Sequence, residues 1–332
     1  MRRSALRTAF SLLLSLSSVM LCAGQTPATA QYEGLPGVAL YQNGYLLSWD
    51  NPKFSQVTVY GRDTQPAYSL AEHRDGTFNA AWAVDSDGVA AVVYNTRQTW
   101  EGRLDLLDLT GKLTRTINTG SYIPRHVVFA PDHTIWTVGF HGADDGSLDF
   151  NVLHHYARTG EELGQALLWS QIASEHNSYT ALQSIHGARH LYTANDRIGF
   201  LSQSHYGHST WIEVSFSGVL LGKYDLGTDQ ELSYWPVAMT AAGTVYAAIY
   251  TDNGLAGHAA LDRSNEAWRK IAGSPEGKII GSDGKNVVFS QRDGATTVLQ
   301  FVPSASLRFD GPQEAATGST SAFIQWWSLA HY

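Results

Sequence analysis

The chain has 332 residues, of which 43% are hydrophobic and 11% aromatic, which is enough to bury a substantial core and excludes an intrinsically disordered protein. Only 16% of the residues are charged, against an average of about 25%, and 31 are glycine, so the composition favours strands and turns over charged surface helices. The net charge of −8 argues against nucleic acid as a partner, because a phosphate backbone would be repelled.

The first thirty residues are typical of an export signal. Three arginines precede the apolar run Ala9 to Cys22, and the small-residue stretch TPATA follows. We expect cleavage after Ala30, which makes residues 1–30 a signal peptide and the protein secreted or periplasmic, with no transmembrane span after removal of the signal. Lipidation of Cys22 is the alternative for this segment. Cleavage would remove the only cysteine, and with it any thiol nucleophile or cysteine metal site.

A pattern of two short apolar strands joined by a Gly, Asp or Asn turn recurs about every 40 to 50 residues. In chain order the copies are VALYQNGYLLSW from Val38, AWAVDSDGVAAVVY from Ala81, HVVFAPDHTIWTVG from His126, LQSIHGARHLYTA from Leu182, PVAMTAAGTVYAAIY from Pro236 and IIGSDGKNVVFS from Ile279. A second turn follows each copy at a similar spacing, near Asp63, Thr110, Thr159, Ser217, Ser264 and Ser304. Each unit is therefore predicted to contain four short strands, which is typical of a propeller blade.

We predict an all-β fold, a six-bladed β-propeller of four-stranded antiparallel blades over residues 31–310. The predicted blades are 32–76, 77–122, 123–174, 175–233, 234–275 and 276–310. Nearly continuous apolar strands such as VAAVVY, from Val89, fit sheets that neighbouring blades cover on both faces, and six similar units disfavour a two-sheet sandwich. The segment 311–332 is expected to pack on the propeller, because its tryptophans are too apolar to be left in water.

Two of the turns carry a family resemblance. The turns VDSDG at Val84 and YARTGEEL at Tyr156 resemble those of the six-bladed propellers of the NHL and TolB-like superfamily. The resemblance covers roughly Tyr32 to Asp310. It implies a propeller fold and no particular activity.

Side chains capable of chemistry concentrate at one end of the predicted propeller. In an antiparallel blade, the loops between the second and third strands emerge at the same end as the connections between blades, and we call this end the loop face. The residues expected to bind a ligand or partner there are Arg125, His126, His176, Asn177, His205, His208, Trp211, Tyr234 and Trp235.

Two functions are compatible with this set of residues. The first is a non-catalytic exported protein that binds a protein, a glycan or a small molecule on the loop face and needs no cofactor. The alternative is a metal-assisted hydrolase or lyase similar to the lactonase-like propellers. In it, a divalent cation such as calcium would be held by Glu33, Asn79, His126 and Asn177. The sequence departs from that family because no acidic residue falls at the channel end of the third or fourth blade, and we therefore favour binding without catalysis.

Overall fold

Short β-strands make up almost all of the computed structural model of this chain. The structure describes residues 28–35, 37–50, 56–71, 77–96, 101–141, 149–172, 191–203, 209–225, 233–251 and 253–310. In these residues the strands join into antiparallel sheets through tight turns rich in Gly, Asp and Asn, as their turn chemistry predicts.

The strands group into six units of four, which we number in chain order of their first strands. A strand that precedes them, β1 (Ala28–Glu33), is described with unit 6. Unit 1 contains β2 (Gly37–Gln42), β3 (Tyr45–Asp50), β4 (Gln56–Tyr60) and β5 (Pro66–Ala71). Unit 2 contains β6 (Thr77–Val84), β7 (Ala90–Thr96), β8 (Gly102–Leu107) and β9 (Leu113–Gly120). Unit 3 contains β10 (Tyr122–Phe129), β11 (Ile135–His141), β12 (Asn151–Tyr156) and β13 (Glu162–Leu168), followed by the short helix α1 (Trp169–Ile172).

The second half of the chain repeats the pattern. Unit 4 contains β14 (Leu191–Thr193), β15 (Arg197–Gln203), β16 (Ser209–Ser215) and β17 (Leu220–Asp225). Unit 5 contains β18 (Ser233–Met239), β19 (Val245–Thr251), β20 (Gly254–Asp262) and β21 (Ala267–Ala272). Unit 6 contains β22 (Lys278–Ser282), β23 (Asn286–Asp293), β24 (Thr296–Pro303) and the N-terminal β1. A 3-10 turn (Ser304–Ser306) then leads to β25 (Arg308–Phe309), which adds a fifth strand beside β21.

The first strands of consecutive units follow one another around a closed ring. Strand β10 contacts β6 and β14, β14 contacts β18, β18 contacts β22, and β22 contacts β2. Units 1 and 2 are joined by side chains of β2 and its turn, because Gln42 Oε1 accepts a hydrogen bond from Val84 N at 3.1 Å and Asn43 Nδ2 donates to Val84 O at 2.9 Å. This arrangement is a β-propeller, which confirms the predicted fold class.

The ring is closed by pairing between the two ends of the described chain. Strand β1 runs antiparallel to β24, from Ala28 opposite Phe301 to Glu33 opposite Thr296. The sequence prediction differs here, because it placed Tyr32 and Glu33 in the first blade and the last fourth strand after Ser304. The residues after Ser304 instead pair with unit 5, which leaves the open edge of β24 to the N-terminal strand. A parallel pair between β2 and β22 also merges units 1 and 6 into one eight-stranded sheet.

Unit 4 begins later than the sequence pattern indicates. The repeat places a turn near Arg189, with the apolar residues that follow it in the second strand. In the structure Leu191–Thr193 is the first strand, and the turn lies at Asn195 and Asp196, where Ala194 N donates to Arg197 O at 2.9 Å. Asn and Asp stabilise a turn through their side chains, and this chemistry outweighs the spacing of the repeat. Residues 173–190 lie outside the described residues.

The core lies between the units. Trp82 and Val92 of unit 2 pack with Leu47 of unit 1, and Phe140 of unit 3 packs with Phe200 of unit 4, all at most 1% exposed. Sheets covered on both faces explain why strands such as β7 are apolar without alternation. None of the helices in the described part of the chain has the length and apolar character that a membrane span requires.

Candidate functional site

The loop face is the end of the ring at which the chain passes between units and between second and third strands. Several of these segments lie outside the part of the chain that the structure describes, namely 51–55, 72–76, 97–100, 142–148, 173–190, 204–208 and 226–232. The predicted binding residues among them are His176, Asn177, His205 and His208, whose roles stay predictions. The opposite end, which we call the turn face, carries the turns between first and second and between third and fourth strands.

Arg125 and His126 lie next to each other on β10, the innermost strand of unit 3. The pairing of β10 with β11 shifts between Pro124 and His126, so Arg125 is the extra residue of a β-bulge. Its side chain is half-buried, and its guanidinium carbon lies 5.2 Å from the centroid of the Phe140 ring. His126, at 1% exposure, is inside the packing between sheets. Of the two side chains, that of Arg125 is partly exposed and that of His126 is buried.

Similar bulges occur on the innermost strands of three other units. The register of β6 shifts between Asn79 and Ala81, that of β18 between Pro236 and Ala238, and that of β22 between Ile279 and Gly281. Predicted site residues lie on two of these strands. Asn79 pairs with Tyr94, while Tyr234 and Trp235 pair with Ile249 and Ala248, and the structure describes only the backbone at these three positions.

Trp211, like His126, is a predicted binding residue whose side chain the structure places in the core. Its side chain is 0% exposed, and its indole Nε1 donates to Glu213 Oε1 at 2.9 Å. The indole fits there because Gly199 on β15 has no side chain, and a Cβ at Gly199 would collide with the ring. Trp211 therefore holds unit 4 together and does not lie on the loop face.

The four residues proposed to hold a cation are distributed over different parts of the units. Glu33 ends β1, the outermost strand of unit 6, and its Oε1 accepts a hydrogen bond from Thr296 Oγ1 at 3.0 Å. Asn79 and His126 lie on innermost strands, and Asn177 is outside the described residues. Among the residues that the structure describes, no three His, Cys, Asp or Glu side chains form a group that could hold a metal ion.

A cluster of aromatic and titratable side chains in unit 3 was not predicted as a group. The Tyr122 ring stacks on His154 with centroids 3.5 Å apart, and His141 lies 6.2 Å from His154. Burial lowers the pKa of His154 to about 4, although the Glu162 carboxylate, 2.8 Å from Nδ1, favours the protonated imidazole. The cluster joins the four strands of unit 3, β10 to β13, and such cross-strand neighbours are not adjacent in the sequence.

On the turn face, carboxylates and arginines link neighbouring units. Glu213 of unit 4 is 0% exposed and accepts hydrogen bonds from Arg197 Nη1 at 3.0 Å and from Arg263 Nε of unit 5 at 2.8 Å. Asp85 of unit 2 is bound by Arg158 of unit 3. These contacts use charged groups to hold the ring together.

A groove of about 420 Å³ also opens on the turn face, between units 1 and 6. Its walls include Tyr32, Tyr41 and Phe301, and Arg62 and Asp283 contribute charges of opposite sign. Burial raises the pKa of Tyr32 and of Tyr41 to about 12, so both hydroxyls stay neutral at physiological pH. The sequence pattern does not predict this groove because it forms only where β1 lies beside β24.

Solved structures with the same fold have sequences very different from this one. A Bacteroides fragilis protein named as exported is 10% identical, over 86% of this chain and 93% of its own, with a TM-score of 0.50. The Dos1 propeller is 10% identical over 77% of this chain and 75% of its own, with a TM-score of 0.41. The WD40 propeller domain of Doa1 is 12% identical over 87% of this chain and 97% of its own, with a TM-score of 0.39. At such identity the likeness concerns the fold alone. No known family matches the sequence, and no curated protein is similar to it.

Proposed function

We propose that this protein is an exported, non-catalytic propeller that binds a partner protein, a glycan or a small molecule on its loop face. The observation that carries the proposal is the position of Arg125. Arg125 is the bulge residue in the middle of the innermost strand β10, is half-buried and lies over the Phe140 ring, and we expect its guanidinium to extend toward the loop face. Partly desolvated arginines beside aromatic rings are frequent anchors of binding surfaces.

The surrounding loop face supports binding through several units together. The innermost strands β6, β10, β18 and β22 all carry bulges, which redirect side chains locally, and the proposed binding residues Tyr234 and Trp235 lie on one of these strands. The proposed set is Arg125, His176, Asn177, His205, His208, Tyr234 and Trp235, with His126 as a buried support. Aromatic and cationic groups of this kind suit a protein surface or a sugar ring.

The test compares binding by the parent protein, Arg125→Ala and a matched control. Purified proteins are probed against an envelope extract and against a panel of glycans. We expect a reproducible ligand whose affinity falls at least about tenfold in Arg125→Ala. It should be unchanged in Arg115→Ala, because Arg115 is an exposed arginine on the outermost strand β9.

Two results would contradict the proposal. The first is a ligand that Arg125→Ala binds as tightly as the parent protein does. The second is a stoichiometric divalent ion in the purified protein that Asn177→Ala loses, which would favour the metal-assisted alternative.

A further inference from the structure

The strand that closes the ring begins inside the segment that the sequence assigns to the export signal. Strand β1 runs from Ala28 to Glu33, whereas cleavage after Ala30 would leave Gln31 as the first residue. We infer that the signal is removed on the amino-terminal side of Ala28, so that the mature protein keeps the whole closing strand. This inference rests on the proposed export and concerns where the chain is cut.

The register of β1 shows what cleavage after Ala30 would remove. Ala28, Thr29 and Ala30 lie opposite Phe301, Gln300 and Leu299 of β24. Their loss takes away half of a six-residue strand and leaves that part of the β24 edge without a backbone partner. Unpaired edges lose ladder hydrogen bonds and favour association with other chains, and the pairing of β1 with β24 would be reduced to three residue pairs.

The side-chain packing around Ala30 also argues against cleavage after that residue. Ala30 is half-buried, packs against the cluster that contains Tyr32 and Leu299, and lines the groove beside Phe301. A chain that begins at Gln31 would place a charged ammonium group against this packing, one residue from Tyr32, which is 3% exposed. Bringing a charge close to an apolar cluster costs free energy unless a partner compensates it.

The sequence offers a suitable cleavage site upstream. The apolar run that starts at Ala9 ends at Cys22, and the small residues Ala23 and Gly24 follow directly. Cleavage after Gly24 has small residues at the positions that signal peptidase requires, with Cys22 two residues before Gly24. It leaves Gln25 as the first residue, three residues before β1 begins.

The first test determines the mature N-terminus. The full chain is produced with its own signal in a bacterial host, and the exported protein is examined by intact mass and N-terminal sequencing. We expect the first residue to lie between Ala23 and Ala28. A first residue at Thr29 or beyond would overturn the inference and leave the proposed export intact, whereas a chain that stays uncleaved would overturn both.

The second test measures how much residues 28–30 contribute to the stability of the folded protein. Chains that begin at Gln25, Ala28 and Gln31 are released from a fusion, and their melting temperatures are compared. The first two differ by three residues outside β1, and the last two by three residues inside it. We expect the Gln25 and Ala28 chains to melt alike and the Gln31 chain to melt at least about 3 °C lower or to fail to fold. Equal melting of all three chains would overturn the inference.

Discussion

At the scale of single residues, buried charge serves to hold the ring together. Glu213 is the clearest case, because its carboxylate is 0% exposed and accepts hydrogen bonds from Trp211, Arg197 and Arg263. Arg263 comes from the next unit and also donates to the carbonyl of Gly243. A buried carboxylate with this many donors stabilises the fold only while every partner is present.

Replacement of Glu213 tests this role. Glu213→Gln removes the carboxylate that compensates Arg263 and one of the two that compensate Arg197, and we expect the free energy of unfolding to fall by about 3 kcal/mol. The control is Asp196→Asn, which removes a largely exposed partner of Arg197 and should cost less than about 1 kcal/mol. Chemical denaturation measures both. Equal losses of unfolding free energy in the two variants would show that Glu213 contributes no more to stability than an exposed ion pair does.

His154 makes stability depend on pH in a defined direction. Burial lowers its pKa in the folded protein to about 4, from about 6.5 in an unfolded chain. Because the folded pKa of a base is depressed, the unfolded chain takes up the proton first. Stability is therefore greatest above about pH 6.5 and is lost as the pH falls toward 4, by up to about 3 kcal/mol.

The variant His154→Phe should keep the stacking on Tyr122 and lose this pH dependence. We expect its unfolding free energy to fall less between pH 7 and pH 4 than that of the parent protein. Burial lowers the pKa of His258 to about 4 as well, so His258→Phe should flatten the curve independently. Denaturation curves at several pH values give the unfolding free energy as a function of pH. If its fall between pH 7 and pH 4 is the same in His154→Phe as in the parent protein, His154 is not the group responsible.

At the scale of elements, the position of the innermost strands depends on close backbone approaches. Gly281 on β22 has a φ of +153°, and a Cβ there would collide with the carbonyl oxygen of Tyr41 on β2. Tyr41 and Gly281 are paired residues where units 1 and 6 join. Only glycine allows the two strands to lie this close together.

Gly281→Ala should therefore weaken the junction between units 1 and 6. We expect a loss of about 2 kcal/mol in unfolding free energy, from the strained backbone and the displaced strand. Gly164→Ala is the matched control, because no atom lies within 4 Å of a Cβ at that strand position. Thermal or chemical denaturation of both variants gives the comparison. A Gly281→Ala protein as stable as the control would contradict the close approach.

At the scale of the whole molecule, the N-terminal strand connects the last unit to the first. Tyr32 on β1 is 3% exposed, and its ring meets the Tyr60 ring of unit 1 edge-on with centroids 5.7 Å apart. Glu33 on the same strand is exposed and bonds to Thr296 of β24. Strand β1 thus contacts both unit 1, through Tyr32, and unit 6, through Glu33.

Removal of the Tyr32 ring should destabilise the junction between units 6 and 1 more than the rest of the ring. We expect Tyr32→Ala to lower the unfolding free energy by about 3 kcal/mol, as for other buried aromatic residues. Amide hydrogen exchange should rise first in β1, β24 and β2, with β7 and β11 little affected. Glu33→Gln, an exposed change on the same strand, serves as the control. A uniform rise in exchange over all units would argue against a local opening.

The sequence predicts those parts of this fold that depend on local patterns. Each four-stranded unit follows from its own turns and apolar strands, so the propeller could be recognised from repeats. The partner of β24 could not, because pairing between residues near 30 and near 300 leaves no local periodicity. The same limit applies to Trp211, whose indole ring packs over Gly199 of the neighbouring strand β15. For the candidate site, the strands that carry Arg125 and Tyr234 could be predicted, but the bulge at Arg125 could not.

The pairing of β1 with β24 also restricts when the ring can close during synthesis of the chain. Residues 28–33 emerge early during synthesis, yet their partner β24 ends only at Pro303, so the first strand made must wait for almost the whole chain. Until β24 has been made, β1 lacks its pairing partner, and the parallel pair between β2 and β22 is the described backbone pairing that can join units 1 and 6. A premature stop before β24 would therefore yield a product whose first strand has lost its native partner.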